Sequence, residues 1–264
     1  MQTWFRLVAV ATIAVCCVGC SAMPQGGENW KPLFDGKTLD GWTPKIRGFP
    51  LGENYRDTFR VRDGAIVVSY DKYEQFGERF GHLFYKTPFK AYRFRMEYRF
   101  LNDHPADTPA WAIANSGVMI FSQDPKTMAV ADSFPVSVEA QLLGPAPGQT
   151  RFNGNMCSPG THVVMDGQLV TTHCINSKTP SGPNEVWTTF EIEAHPGGDV
   201  IQRINGVETI RYSQVQLDPT GNMANSKPLV EAAGGKVMLD GGHISLQSEG
   251  NPIEFRKIEI LELR

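Results

Sequence analysis

The sequence predicts an all-β fold, a β-sandwich or jelly roll, on three observations. Short runs alternate apolar and polar residues with a period of two, and Gly, Pro and Asx turn signals separate them. No segment past residue 20 carries a 3.6-residue period, and no fixed repeat is present. The Pro/Gly clusters fall between neighbouring runs, so residues 30–264 read as one domain with enough chain for a substantial core.

Residues 1–20 stand apart from this pattern. Arg6 precedes an apolar run over 7–18, and Gly19, Cys20 and Ser21 follow. That is the form of an export signal, too short to span a bilayer permanently. Cys17-Val18-Gly19-Cys20 has the form of a bacterial lipobox, with Cys17 where Leu is usual. Cys20 would then carry a lipid anchor; ordinary cleavage after Ala22 is the alternative. The expectation is an exported protein of the periplasm or cell envelope, held to a membrane through Cys20, with residues 21–29 as a tether. The formal net charge of −3 gives no reason to expect nucleic acid as a partner.

Of five cysteines, Cys16 and Cys17 fall in the signal and Cys20 is the lipid candidate. Cys157 and Cys174 remain as an even pair in an exported chain and are expected to form a disulfide. There is no C-x-x-C, and His162 and His173 lack zinc-site spacing, so neither a metal nor another cofactor is expected.

Taken in order, residues 30–42 carry two Asp-Gly turns. Residues 58–70 read as a hairpin about Asp63-Gly64, and 82–86 as a short strand. Tyr92–Phe100 has the cleanest alternation. Residues 102–114, polar and Pro-containing, form a loop, and such loops on a sheet scaffold often carry function. A strand at 118–122 follows Asn115-Ser116-Gly117, and 145–160 reads as an irregular excursion. Turns at Asp166-Gly167 and Asn205-Gly206, alternation over 187–195, and strands at 243–249 and 253–263 complete the chain.

The stretch 133–144 organises the rest. Val136, Val138, Ala140 and Leu142 alternate with Ser137, Glu139 and Gln141, the pattern of a half-buried strand. Glu139 and Gln141 then share one face, roughly 6.5–7 Å apart. That spacing suits two groups gripping one sugar ring, and equally suits a solvated sheet face.

L-F-D-G-K-T-L-D-G-W near the start, N-S-G-V, V-E-A-Q-L, and I-S-L-Q-S-E-G-N-P-I-E-F-R-K-I-E-I at the end occur in that order. Together they resemble the 3-keto-disaccharide hydrolase domain family over residues 30–263. The resemblance implies a concanavalin A-like jelly roll whose curved sheet offers its concave face to saccharide. It also implies a substrate already oxidised at C3, a 3-keto-glycoside. Where many members carry an Arg beyond N-S-G, this chain has Phe121.

A C3 ketone acidifies the C2 proton. Cleavage can then proceed by abstracting that proton, expelling the glycosidic oxygen and adding water. This needs one base, donors for the developing enolate oxygen and a proton source for the leaving group. On this reading Glu139 is the base or orients it, and Asn115 and Gln141 bind sugar oxygens. His82 is a candidate general acid, with a backbone-satisfied structural role as the alternative. Gln247 and Glu249 share a strand face and are candidate substrate ligands, as is Trp111, whose ring can stack on a sugar. A conventional glycosidase needs two carboxylates flanking the bond, for which Glu191 and Glu193 are the sequence's own candidates. A non-catalytic carbohydrate-binding module and a cell-surface interaction domain are the other rivals.

Overall fold

The computed structural model describes residues 28–263 and the first two residues of the chain. The rest of the export signal, Cys20 included, and all but the last two tether residues lie outside the described residues.

Two antiparallel sheets stack as a sandwich. The seven-stranded sheet runs, edge to edge, Cys174–Ile175, Asn155–Cys157, Val138–Leu143, Asn115–Ser122, His243–Ser248, Gly81–Tyr85 and Trp42–Ile46. The ten-stranded sheet places Tyr92–Phe100 between Thr188–Ala194 and Ile253–Glu262, with the Ala65–Val68 and Asp199–Ile204 hairpins farther out. Among the described residues, nine of the fifteen strand pairings join strands that are not consecutive in the chain, the arrangement of a jelly roll.

Alternation decides which face each strand buries. Phe94, Met96, Phe190 and Ile192 from one sheet meet Val118, Val138, Ala140 and Leu246 from the other in a single core. Along Tyr92–Phe100 burial alternates residue by residue, as its sequence predicts. The predicted strand at 118–122 extends back to Asn115. The excursion at 145–160 contains a three-residue strand, Asn155–Cys157, recruited by pairing with Val138–Leu143. Among the described residues one α-helix occurs, the six-residue Lys227–Ala232, too short to print a 3.6-residue period.

Phe121 has a left-handed backbone (φ 49°) and lies buried in the core. A charged side chain at that position would meet the core and not the face that carries Glu139.

The Cys157–Cys174 disulfide is formed, between directly paired residues of two strands at the edge of the seven-stranded sheet. The Cys174–Ile175 strand has only two residues, so the cross-link holds an edge that few hydrogen bonds secure. A loop with its ends 17 residues apart predicts about 3 kcal/mol of stabilisation. Replacing both cysteines by Ser should therefore lower Tm by roughly 6–12 °C in a domain of this size. Scanning calorimetry of the oxidised protein and the double variant measures this.

Candidate functional site

The outward face of the seven-stranded sheet gathers the polar residues that its alternation pushes out of the core. Strand register sets them in rows. One row carries Phe84, Ser245, Met119, Glu139, Cys157 and Cys174. The adjoining row carries Lys45, His82 and Gln247 on one side and Gly117, Gln141 and Asn155 on the other. Glu249 directly follows the His243–Ser248 strand, which pairs with the Asn115–Ser122 strand.

A cavity of about 330 Å³ opens over this face. Asn115, Glu139, Gln141 and Glu249 line its polar part together with Glu78, which is exposed and ion-paired with Arg47; Phe80, Trp111, Phe134 and Met223 line its apolar part, and the disulfide and His173 one end. A second lobe of about 260 Å³ shares Trp111, Asn115 and Gln141 and extends to Leu143, Gln149 and Arg151. Each volume is near the lower end for small-ligand sites; side by side they suit a ligand of two linked rings.

Glu139 and Glu249 dominate the electrostatics. They are 6% and 4% exposed, and Glu139 Oε1 and Glu249 Oε2 are buried with no hydrogen-bond partner. Burial raises the Glu139 carboxyl to about 8. Burial, and then the neighbouring charge of Glu139, raise Glu249 well above the usual carboxylate range. Among the described residues, no Lys or Arg lines the 330 Å³ cavity. Two like charges in so dry a place cannot both ionise cheaply, so the pair retains a proton at neutral pH.

The amides are held for use. Asn115 Nδ2 donates to the Trp111 carbonyl at 3.3 Å, while its Oδ1 is buried without a partner. Asn155 Nδ2 donates to Gln141 Oε1 at 2.9 Å, which fixes the carboxamide with its NH2 available to donate. Arg151 donates to the carbonyls of Ala110, Trp111 and Ile113, pinning the loop that carries Trp111. Trp111 itself is 51% exposed and stacks on Phe80, which packs in turn on Phe134.

The structure thus brings together Glu139, Asn115, Gln141, Glu249 and Trp111. Gln247 shares the face but lies outside the cavity lining, fully buried, with both amide atoms unpartnered. His82 is a correction. It is 1% exposed, lies under Phe134, and is absent from the cavity wall. Burial, with the Lys45 charge second, pushes its imidazole down to about 3, so it is no imidazolium donor near neutral pH. Glu191 and Glu193 are a second correction. Phe190 and Ile192 point into the core, so the two acids project from the ten-stranded sheet, on the far side of the sandwich. Glu193 there meets His195 and Arg203.

Phe80, Phe134, Met223 and Asn155 belong to the site although sequence reading did not single them out. Only the aromatic neighbours of the 82–86 and 133–144 strands left a signal. His173 lies with the two cysteine sulfurs inside a 4.8 Å group of the kind that can hold a metal; both sulfurs are taken up by the disulfide.

No functionally curated protein matches the chain. A solved structure from Parabacteroides distasonis, provisionally named a glycosyl hydrolase, is 18% identical with a TM-score of 0.52, over 89% of this chain and 99% of that one. A second from the same organism, named alike, is 17% identical at 0.51, over 89% and 94%. The exoplasmic/lumenal domain of VIP36, solved with Ca2+ and Man3GlcNAc, is 10% identical at 0.51, over 86% and 87%. At these identities the likeness establishes the fold, a concanavalin A-like jelly-roll β-sandwich. Residues 29–261 match the family model for a 3-keto-alpha-glucoside-1,2-lyase-like domain. The chain therefore belongs to the 3-keto-alpha-glucoside-1,2-lyase-like domain family.

Proposed function

We propose that this protein cleaves 3-keto-glycosides by elimination at C1–C2 followed by hydration, with Glu139 as the base that removes the C2 proton. The observation that carries the reading is Glu139 itself, a buried carboxylate at the floor of a half-open cavity, with one oxygen unpartnered and the amides of Asn115 and Gln141 in the same lining. A base near pKa 8, which burial gives Glu139, suits a carbon acid whose own acidity the adjacent ketone has raised. Gln141 can donate a hydrogen bond to the enolate oxygen forming at C3, and Asn115 can hold a ring hydroxyl. The exposed indole of Trp111 offers a stacking surface for a ring. Export fits a chain with a disulfide, and lipid attachment at Cys20 remains part of this reading.

The test is cleavage of a 3-keto-α-glucoside by residues 21–264 in heavy water. Deuterium at C2 of the released sugar is the expected result. Release without deuterium there indicates direct displacement at C1. Saturable binding of the 3-keto-glucoside with neither release nor exchange indicates a binding module, the reading that exposed Trp111 would otherwise favour.

A further inference from the structure

We infer that Glu249 is the second catalytic residue of this site, the acid that protonates the departing glycosidic oxygen. This rests on the elimination reading above and fills its one open role, the proton source that buried His82 does not provide.

The argument is geometric first. Asn115, Trp111 and Gln141 are shared by both lobes of the cleft, so a bond joining a ring in one lobe to a group in the other crosses that boundary. Glu249 follows the last residue of the His243–Ser248 strand and lines the first lobe, together with the Asn115 and Gln141 that both lobes share. The Glu139 side chain leans over Gly117 of the strand that lies between them. Both carboxyl groups thus line the one lobe, on different strands of its floor, where one substrate can meet both. No hydrogen-bond donor or cation satisfies Glu249 Oε2, and a protonated carboxyl is the form that tolerates such burial. Burial and mutual repulsion raise both carboxyl groups, so loss of a proton from one favours its retention on the other.

The proton balance closes. Glu139 takes the C2 proton, and the electron pair moves toward the C3 oxygen. The enolate then collapses to a C1–C2 double bond as the C1–O bond breaks. The leaving oxygen takes the Glu249 proton and departs as an alcohol. Water adds at C1, returning a proton to Glu249, and Glu139, its acquired proton having exchanged with solvent at the open cleft, delivers a proton to C2. One water is consumed and both carboxyl groups regain their starting states.

The test uses two substrates that differ in their need for an acid, methyl and 4-nitrophenyl 3-keto-α-glucoside, with Glu249→Gln and Glu249→Asp. Nitrophenolate leaves with little help and methoxide does not. Glu249→Gln should slow the methyl substrate by roughly 10²–10³-fold and the nitrophenyl substrate at least ten times less. In heavy water, methyl substrate recovered uncleaved from this variant should carry deuterium at C2, because its enolate reprotonates before methoxide can leave. Glu249→Asp, which keeps an acid, should recover part of the methyl rate and covers the case of a Gln variant that folds poorly. Equal losses on both substrates, no loss on either, or cleavage slowed without exchange each overturn the role of Glu249 while leaving the elimination reading intact. Wild-type protein that neither cleaves nor exchanges either substrate overturns both.

Discussion

Glu139→Gln should lower turnover of a 3-keto-glucoside by at least about 10³-fold, toward the upper end of what a general base contributes. It should also abolish deuterium exchange at C2, and the two losses should be inseparable because they share one step. The pH dependence follows from the same burial. The base must be ionised, and burial raises Glu139 to about 8, so wild-type kcat/KM should climb about tenfold per pH unit up to that region. At higher pH, where Glu249 also loses its proton, the rate should fall again. A single plateau beginning near pH 5 would mean that Glu139 does not limit the rate.

The same substitution should stabilise the fold, with a definite sign. The unfolded carboxyl has its ordinary value of 4.5, and burial raises the folded one to about 8. Between those values the folded state binds more protons than the unfolded state, so stability declines as pH rises through the window. Glu139→Gln has no such proton to lose. Its Tm should match wild type near pH 4.5 and exceed it increasingly toward pH 8, by roughly 2–4 °C for each kcal/mol recovered.

Much of this was legible in the sequence because strand alternation is a strict code. Val138, Ala140 and Leu142 point to the core, so Glu139 and Gln141 must point away, and the coordinates place them so. Cys157 and Cys174 were legible by elimination. What alternation omits is which side of a two-sheet molecule a face belongs to. Glu191 and Glu193 obey the code as well as Glu139 does, yet their strand lies in the other sheet. Nor does it report what covers a face. His82 sits in the correct row, but Phe134, from a stretch more than fifty residues away, roofs it over. The pairing of Glu249 with Glu139 was hidden for a related reason. They are 110 residues apart in the chain, yet only the Asn115–Ser122 strand parts their strands in the sheet. Export and lipid attachment rest on the first 22 residues alone and stand as expectations.

Gly117→Ala should be the most damaging single methyl group that can be added to this protein's site. Gly117 does not need glycine for its backbone; it sits within the Asn115–Ser122 strand and adopts no left-handed φ. It needs glycine for room. A Cβ there would lie 2.6 Å from both Cγ and Oε1 of Glu139, well inside contact distance. The strand is central and fully paired, so the flexible carboxylate must give way. A displacement of about 1 Å in a reacting group can cost 10²-fold, and a loss of that order in kcat/KM is expected with little change in Tm. The effect should be transmitted entirely through Glu139, so Gly117→Ala combined with Glu139→Gln should be no slower than Glu139→Gln alone. Shortening the base offers the converse check. Glu139→Asp withdraws the carboxylate by one methylene, so it should cost less in the Gly117→Ala background than in the native one. Full additivity of the two substitutions would mean that Gly117 serves the sheet, and that the space above it is not what sets the position of the base.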